Sequence, residues 1–356
     1  MTVPLDPARY VKATLPDGMA PTLAVVVDTE EEFDWNAPFS RLARGTRNLR
    51  ELPHLQSILD RHGAAPLYVI DHPVASDASA MAWLRETRDR GACQIGAHLH
   101  PWVTPPDRES VSCANSFTCN LPDALQRAKI RTLTETIMEN AGERPTAFRT
   151  GRYGIGAATF DALVEAGYTT DLSVAPHSQF SEQGGPTFYG WHNRPFWADA
   201  ERRLLSLPVT TGFSGALRAL GPSIAPLLDD RHARTLHLPG LLAHTRLLER
   251  ARLTPEGTGV TEMKRLISAL VGDGERVLTL SLHSSTLLPG ATVYARDEAE
   301  RDALLDALDS IISWFVTRVG GVLAPVSSID AAIRGALPPA SLPSLKPGPV
   351  GSRQPA

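Results

Sequence analysis

Two short stretches carry residues able to do metal chemistry. In the first, the apolar run Leu23 to Val27 leads straight into Asp28, Glu30, Glu31 and Glu32. Side chains of an extended segment alternate, so Asp28 and Glu30 share one face while Thr29 points away. Two ionised carboxylates at close range are costly unless a cation or a protonated group lies between them. In the second stretch, His98-Leu99-His100, extended backbone aims both imidazoles to one side with Leu99 packing behind. Joined to a carboxylate, the pair makes a set of ligands that suits Zn²⁺ in an open catalytic site and also non-haem iron. Either stretch alone is weak evidence. An acidic run after a strand is commonly a solvated loop, and two histidines ending a strand are as often structural as metal-binding.

Three further residues could complete such a site. Arg149 can pair with Asp28 and keep it ionised as a base, the bland alternative being a rim salt bridge. Asp171 can accept a hydrogen bond from one nitrogen of His283, setting its tautomer and favouring the imidazolium a general acid needs. Otherwise His283 is a satisfied rim histidine. Trp83 and Trp314 fall on predicted helices and are expected in the core, whereas Trp35, Trp102, Trp191 and Trp197 fall in predicted loops. Loop tryptophans can offer flat faces to sugar rings, or can simply staple loops down.

The elements that must position these groups alternate. After the strand ending at Asp28, helical spacing runs from Leu49 to His62, and Ala65 to Asp71 reads as a second strand. A helix over Ala80 to Arg90 and a strand over Cys93 to His98 follow. The alternation continues with a helix over Leu121 to Ala141, a strand over Thr146 to Arg149, a helix over Ala157 to Ala166 and a strand over Thr169 to Val174. Residues 175 to 240 form an irregular insertion with a strand near Leu204 to Val209. A helix over Thr261 to Val271, a strand over Arg276 to Leu282, a helix over Ala299 to Arg318 and a strand near Gly321 to Ala324 complete the pattern.

Such alternation means a parallel sheet, and roughly seven units over about 300 residues suit a closed or nearly closed β/α barrel. The competing open sheet lacks the Gly-x-Gly-x-x-Gly turn of a dinucleotide fold. In a β/α barrel, chemistry sits where the strands end. Asp28, Glu30, His98, His100, Arg149, Asp171 and His283 all lie at predicted strand ends, so distant parts of the chain are expected to meet at one mouth.

Composition bounds the rest. The chain has 356 residues, 42% of them hydrophobic, enough for a proper core, and a net charge of −4 without a basic stripe. Nucleic acid is therefore not an expected partner. The first residues lack a secretory pattern and no apolar run reaches the roughly 18 residues of a membrane span, so a cytoplasmic protein with no membrane span is expected. Cys93, Cys113 and Cys119 suit free thiols in a reducing compartment. The organisation predicted is an N-terminal extension over 1–19, a barrel domain over 20–334 and a disordered Pro/Ser/Gly-rich tail over 335–356. No motif speaks to the oligomeric state.

The ordered set DTEEEFDW, IGAHLHPW, FRTGRYG, DLSV and LSLHSSTLLPG resembles the polysaccharide deacetylases. These are the NodB-homology group of carbohydrate esterases, termed carbohydrate esterase 4. The resemblance is nearest to their WalW-like branch and runs from about Ala20 to Ile333. It implies a distorted (β/α)7 barrel, the NodB-like glycoside hydrolase/deacetylase fold, and metal-dependent removal of acetyl groups from N-acetylated sugars. By that resemblance Asp28 is the catalytic base, Arg149 its partner, His283 the acid and Asp171 its orienter. Glu30, His98 and His100 hold a divalent metal of the Zn²⁺ type. A backbone N–H after Arg149, such as that of Tyr153, joins in holding the oxyanion. From their own chemistry, Trp35 and Trp102 are expected to contact substrate together with Tyr153.

The chain departs from the family pattern in two places: the carboxylates are not adjacent aspartates, and the histidines are separated by one residue rather than three. Glu30 and Glu31 thus both stand as the ligating carboxylate. The function expected is deacetylation of a sugar or polysaccharide precursor. The alternatives are deformylation or hydrolysis of another linear or cyclic amide at the same site, and carbohydrate binding without turnover.

Overall fold

The computed structural model describes residues 5–34 and 37–336; Trp35 and all but the start of the predicted tail lie outside the described residues. Among the described residues twelve strands occur in chain order: β1 Val11–Lys12, β2 Thr22–Thr29, β3 Leu67–Ile70, β4 Gln94–Leu99, β5 Ala147–Thr150, β6 Thr170–Asp171, β7 Phe196–Trp197, β8 Leu205–Ser206, β9 Thr211–Ser214, β10 Glu249–Arg252, β11 Val277–His283 and β12 Val322–Leu323. Ten form one curled sheet, whose parallel part runs β8-β6-β5-β4-β3-β2-β11. That is the strand complement of the distorted (β/α)7 barrel expected. β7 and β1 add antiparallel strands beyond β8, tying the N-terminal extension to the barrel, and β12 lies beside the first half of β2.

Pleating sorts the side chains onto two faces. Along β2, Val25 and Val27 point outward into the layer shared with helices such as Leu52–Arg61 and Glu298–Trp314, while Ala24 and Val26 point inward. The interior is apolar at the bottom, where Leu67, Val69, Ala147 and Leu205 meet the helix Val326–Gly335. One step above this apolar layer, the next inward residue of β2 is Asp28. Polar groups at the strand ends therefore stand on a dry floor.

The barrel does not close by a backbone ladder. Between β8 and β11 the seam is stitched by threonines: Thr210 N–H donates to Thr279 Oγ1 at 3.0 Å, and Thr279 N–H donates to Thr210 Oγ1 at 2.8 Å. Leu253 bridges the same gap, donating from its N–H to the Thr210 carbonyl at 2.9 Å and accepting from Ser281 N–H at 3.1 Å. Thus the irregular excursion is the stretch from β9 to β10, an antiparallel hairpin enclosing helices Gly221–Leu228, Arg231–Thr235 and Leu238–His244. The insertion predicted over 175–240 overlaps it and also takes in β7 and β8, which belong to the sheet. Among the described residues no helix is long and apolar enough to cross a membrane, and the three cysteines are unbridged.

Thr279→Val keeps the side-chain shape but leaves the buried Thr210 N–H without its acceptor. Urea unfolding is expected to show a loss of about 1–3 kcal/mol, and an unchanged midpoint would refute the stitched seam.

Candidate active site

Parallel register carries the inward residues of four strands to one level. Asp28 of β2 lies opposite His283 of β11, and His98 of β4 opposite Arg149 of β5. Arg149 is fully buried and reaches across the interior. Its Nη1 donates to Asp28 Oδ1 at 2.6 Å, its Nε to the Leu172 carbonyl at 3.0 Å and its Nη2 to Ser281 Oγ at 3.2 Å. Burial alone would raise the Asp28 carboxyl, but the Arg149 guanidinium and nearby imidazoles outweigh it and hold the group below the ordinary carboxylate range.

Beyond the strand end, Glu30 turns its carboxylate toward both histidines. Its Oε2 lies 3.6 Å from His98 Nε2 and 3.4 Å from His100 Nε2. These gaps are long for direct hydrogen bonds. They match the spacing of roughly 3.4 Å between ligands that each sit about 2.0–2.1 Å from a tetrahedral ion. Burial depresses both imidazoles, His100 to about 4, so both are neutral near pH 7 and have lone pairs to offer. The donor set therefore fits a divalent cation held by Glu30, His98 and His100.

Glu31 has a different place. Its Oε2 lies 2.8 Å from His100 Nδ1, and its Oε1 accepts from Trp102 Nε1–H at 2.8 Å. With the proton of His100 on Nδ1, the Nε2 lone pair is presented to Glu30, as expected of a residue that orients a metal-binding histidine. Asp71 lies behind, accepting from Glu31 N–H at 2.8 Å. Burial raises both acids, helped at Glu31 by the charge of Glu30 and at Asp71 by that of Glu31; Glu31 moves to about 8, so the pair retains a proton. Gly151 completes the packing: a Cβ there would come 2.3 Å from His100 Cδ2. Ser284 Oγ accepts from Glu30 N–H at 3.1 Å, and Ser285 Oγ donates to Glu30 Oε1 at 3.3 Å, which fixes the carboxylate.

Two sequence expectations are corrected. Asp171 does not orient His283. Its carboxylate accepts from Ser206 Oγ at 2.8 Å and Ser173 N–H at 3.2 Å, and burial raises it to about 6. The reason is pleat parity. Asp171 is in register with Phe148, which faces the outer helix layer, whereas its neighbour Leu172 faces the interior. The partner of His283 is Glu256, whose Oε2 lies 2.7 Å from Nδ1 and whose Oε1 accepts the His283 N–H at 2.8 Å. Glu256 follows β10 and comes in through the barrel seam. A lone glutamate in an irregular stretch carries no sequence signal of such a role.

Trp102 is the second correction: it is buried, stacked on His100 with ring centroids 4.2 Å apart, and presents no open face to a ligand. Trp191 and Trp197 are likewise buried. Tyr153 does line the mouth, its ring stacked on Phe180 at 5.7 Å. Asp28, Glu30, His98, His100, Tyr153 and His283 thus border one cavity of about 750 Å³, ample for a sugar.

His283 stands with Nε2 3.6 Å from Asp28 Oδ2. Burial opposes its charge, but Glu256, Glu30 and Asp28 together raise its proton affinity well above the usual histidine range. The site thus holds an ionised carboxylate beside a charged imidazole, a pairing suited to moving protons in opposite directions.

No protein-family model and no curated protein matches the sequence. Solved structures match its fold. A protein of Mycobacterium smegmatis provisionally named a polysaccharide deacetylase aligns at a TM-score of 0.54 and 17% identity, covering 94% of this chain and 96% of the other. A second so named, from Pseudomonas aeruginosa PAO1, aligns at 0.52 and 16%, covering 88% and 91%. Puue allantoinase aligns at 0.54 and 14%, covering 90% and 92%. The chain therefore has the NodB-like deacetylase fold expected from its motifs.

Two outcomes test the geometry. Glu256→Gln should lower the proton affinity of His283, read from its ring resonances against pH. A raised histidine contributes stability that is full below about pH 6.5 and is lost as pH rises through the folded value. The stability lead of wild type over Glu256→Gln should therefore shrink as the solution becomes alkaline. Separately, Glu31→Gln should weaken Zn²⁺ binding by about 10–100-fold in calorimetric titration, and Glu30→Gln should weaken it further; equal affinities in all three proteins would reject the assignment.

Proposed function

We propose that this chain is a metal-dependent hydrolase that removes an N-acetyl group from a sugar or polysaccharide precursor. The observation that supports this most directly is the approach of one Glu30 oxygen to the Nε2 atoms of His98 and His100, beside the register-matched pair Asp28 and His283. In this reading Glu30, His98 and His100 hold the cation, for which Zn²⁺ is the best match to the donor set. When bound, it supplies Lewis-acid polarisation of the amide carbonyl and acidifies water.

The chain's own residues do the rest. Asp28, kept ionised by Arg149, accepts the proton of the attacking water. His283, kept charged by Glu256, gives a proton to the departing amine nitrogen, so that the amide C–N bond breaks and acetate leaves. A backbone N–H of the loop Gly151 to Tyr153, beside His100, helps hold the carbonyl oxygen as it gains charge. The resemblance of five ordered motifs to the deacetylases supports the acyl group and the sugar.

A second reading, hydrolysis of a formyl or cyclic amide by the same residues, is favoured by the equal fold similarity of an allantoinase. Metal analysis of the purified protein, with acetate, formate and ring-opened product measured from a panel of amides, separates the two. Asp28→Asn should cut kcat by about 10²–10⁴-fold, and undiminished hydrolysis by that variant would remove the proposed base. The pH profile of kcat/KM should fall on the acid side as Asp28 is protonated, below the usual carboxylate range. It should fall on the alkaline side as His283 loses its proton, above the usual histidine range, and Glu256→Gln should bring that alkaline limb down.

A further inference from the structure

The cavity's charges, taken one by one, leave a remainder. Asp28 is paired with Arg149 at 2.6 Å and Glu256 with His283 at 2.7 Å. Asp229 receives both Nη atoms of Arg250 at 2.6 Å, and Glu182 is paired with Arg234. Glu30 faces the two imidazoles and the proposed cation. Two guanidinium groups on the cavity wall, Arg152 and Arg252, have no carboxylate within 4 Å among the described residues, and every partner they have is neutral. Arg152 lies over Phe117 and Phe39 with centroids at 4.1 and 5.0 Å, and bonds to the Cys113 carbonyl, Ser116 Oγ and Gln183 Oε1. Arg252 donates to Tyr153 Oη at 2.9 Å and to Ser178 Oγ at 3.5 Å, and lies over the Tyr153 ring at 4.6 Å.

Both cations are half-buried and both bear on Tyr153, one as its chain neighbour and one through its ring and hydroxyl. Arg152 and Tyr153 also adopt left-handed backbone, φ 55° and 58°, which residues with side chains rarely do. The other two arginines lining the cavity, Arg234 and Arg250, are matched by carboxylates, so leaving these two with neutral partners has a purpose if an anion arrives with the ligand. Planar guanidinium forks held by neutral acceptors and aromatic faces keep their charge and suit phosphate or carboxylate oxygens.

We propose that the substrate carries an anionic group, a phosphate or a carboxylate, bound by Arg152 and Arg252 while its amide meets the site at Asp28 and His283. The sugar amide part of this substrate rests on the function proposed above; the anion site rests on the two arginines. The test is calorimetric titration of the Zn²⁺-loaded protein with three probes: N-acetylglucosamine 1-phosphate, N-acetylglucosaminuronic acid and neutral methyl N-acetylglucosaminide. Wild type should bind at least one charged sugar about tenfold more tightly than the neutral one, with the preference weakening in salt. Whichever charged probe binds better identifies phosphate or carboxylate.

Arg152→Gln and Arg252→Gln should each lose most of that preference and leave the neutral sugar within about twofold, and Arg252→Lys should restore part of it. Equal binding of charged and neutral sugars by wild type, no binding of the charged ones, or a preference that survives both glutamine variants would overturn the proposal. Acetate release from the same three sugars is scored separately. Release without charge preference sinks the anion site and spares the hydrolase, whereas charge-selective binding without release does the reverse.

Discussion

A buried guanidinium holds this site together. Arg149 sits inside the barrel with no access to water, and an unpaired charge there would be costly enough that losing its partner typically removes about 3–5 kcal/mol. The molecule meets that cost by giving each of the three guanidinium nitrogens a partner: Asp28 of β2, the carbonyl of Leu172 after β6 and Ser281 of β11. One side chain on β5 thereby ties three other strands at one level. That level is the floor of the cavity, so the group that makes the interior affordable also sets the ionisation of the proposed base.

The open seam matters as much. A barrel whose last two parallel strands formed a ladder would have no room for Leu253 and the residues after it. Because threonine side chains do the joining, the chain returning from the hairpin passes through the wall and carries Arg252 and Glu256 to the cavity. The excursion from β9 to β10 and the residues just after it are thus part of the site, supplying the carboxylate on His283 and one of the two cavity-wall arginines without an acidic partner. Residues at the ends of the barrel strands provide the proposed metal ligands, base and acid, while the segment that follows the hairpin bears on them.

Fold and chemistry are separable here. Proteins named as polysaccharide deacetylases and an allantoinase share this architecture at similar scores, so the barrel by itself selects no reaction. What narrows the possibilities is local: an oxygen of Glu30 facing two neutral imidazoles, and a charged histidine next to an ionised aspartate. Those groups suit amide hydrolysis whichever acyl group is released, and the cavity wall beyond them is where selectivity for the rest of the molecule would arise.

The order and type of the barrel elements were legible in the chain, because apolar runs of period two and of period 3.6 alternate and each strand ends in polar residues. The same periodicity put Asp28, His98, His100, Arg149 and His283 at strand ends. It did not say which face each would take where a strand is only two residues long. Asp171 and Leu172 read alike in sequence, and only the pairing of β6 with Phe148 and Ser206 turned Asp171 outward. Trp102 read as a loop residue and proved to be the buried backing of His100. Glu256 had no pattern around it, since its place depends on a seam that no short stretch encodes. Local sequence determines what alternates, whereas which residues meet across the barrel is decided by register and by the route of the chain through the gap.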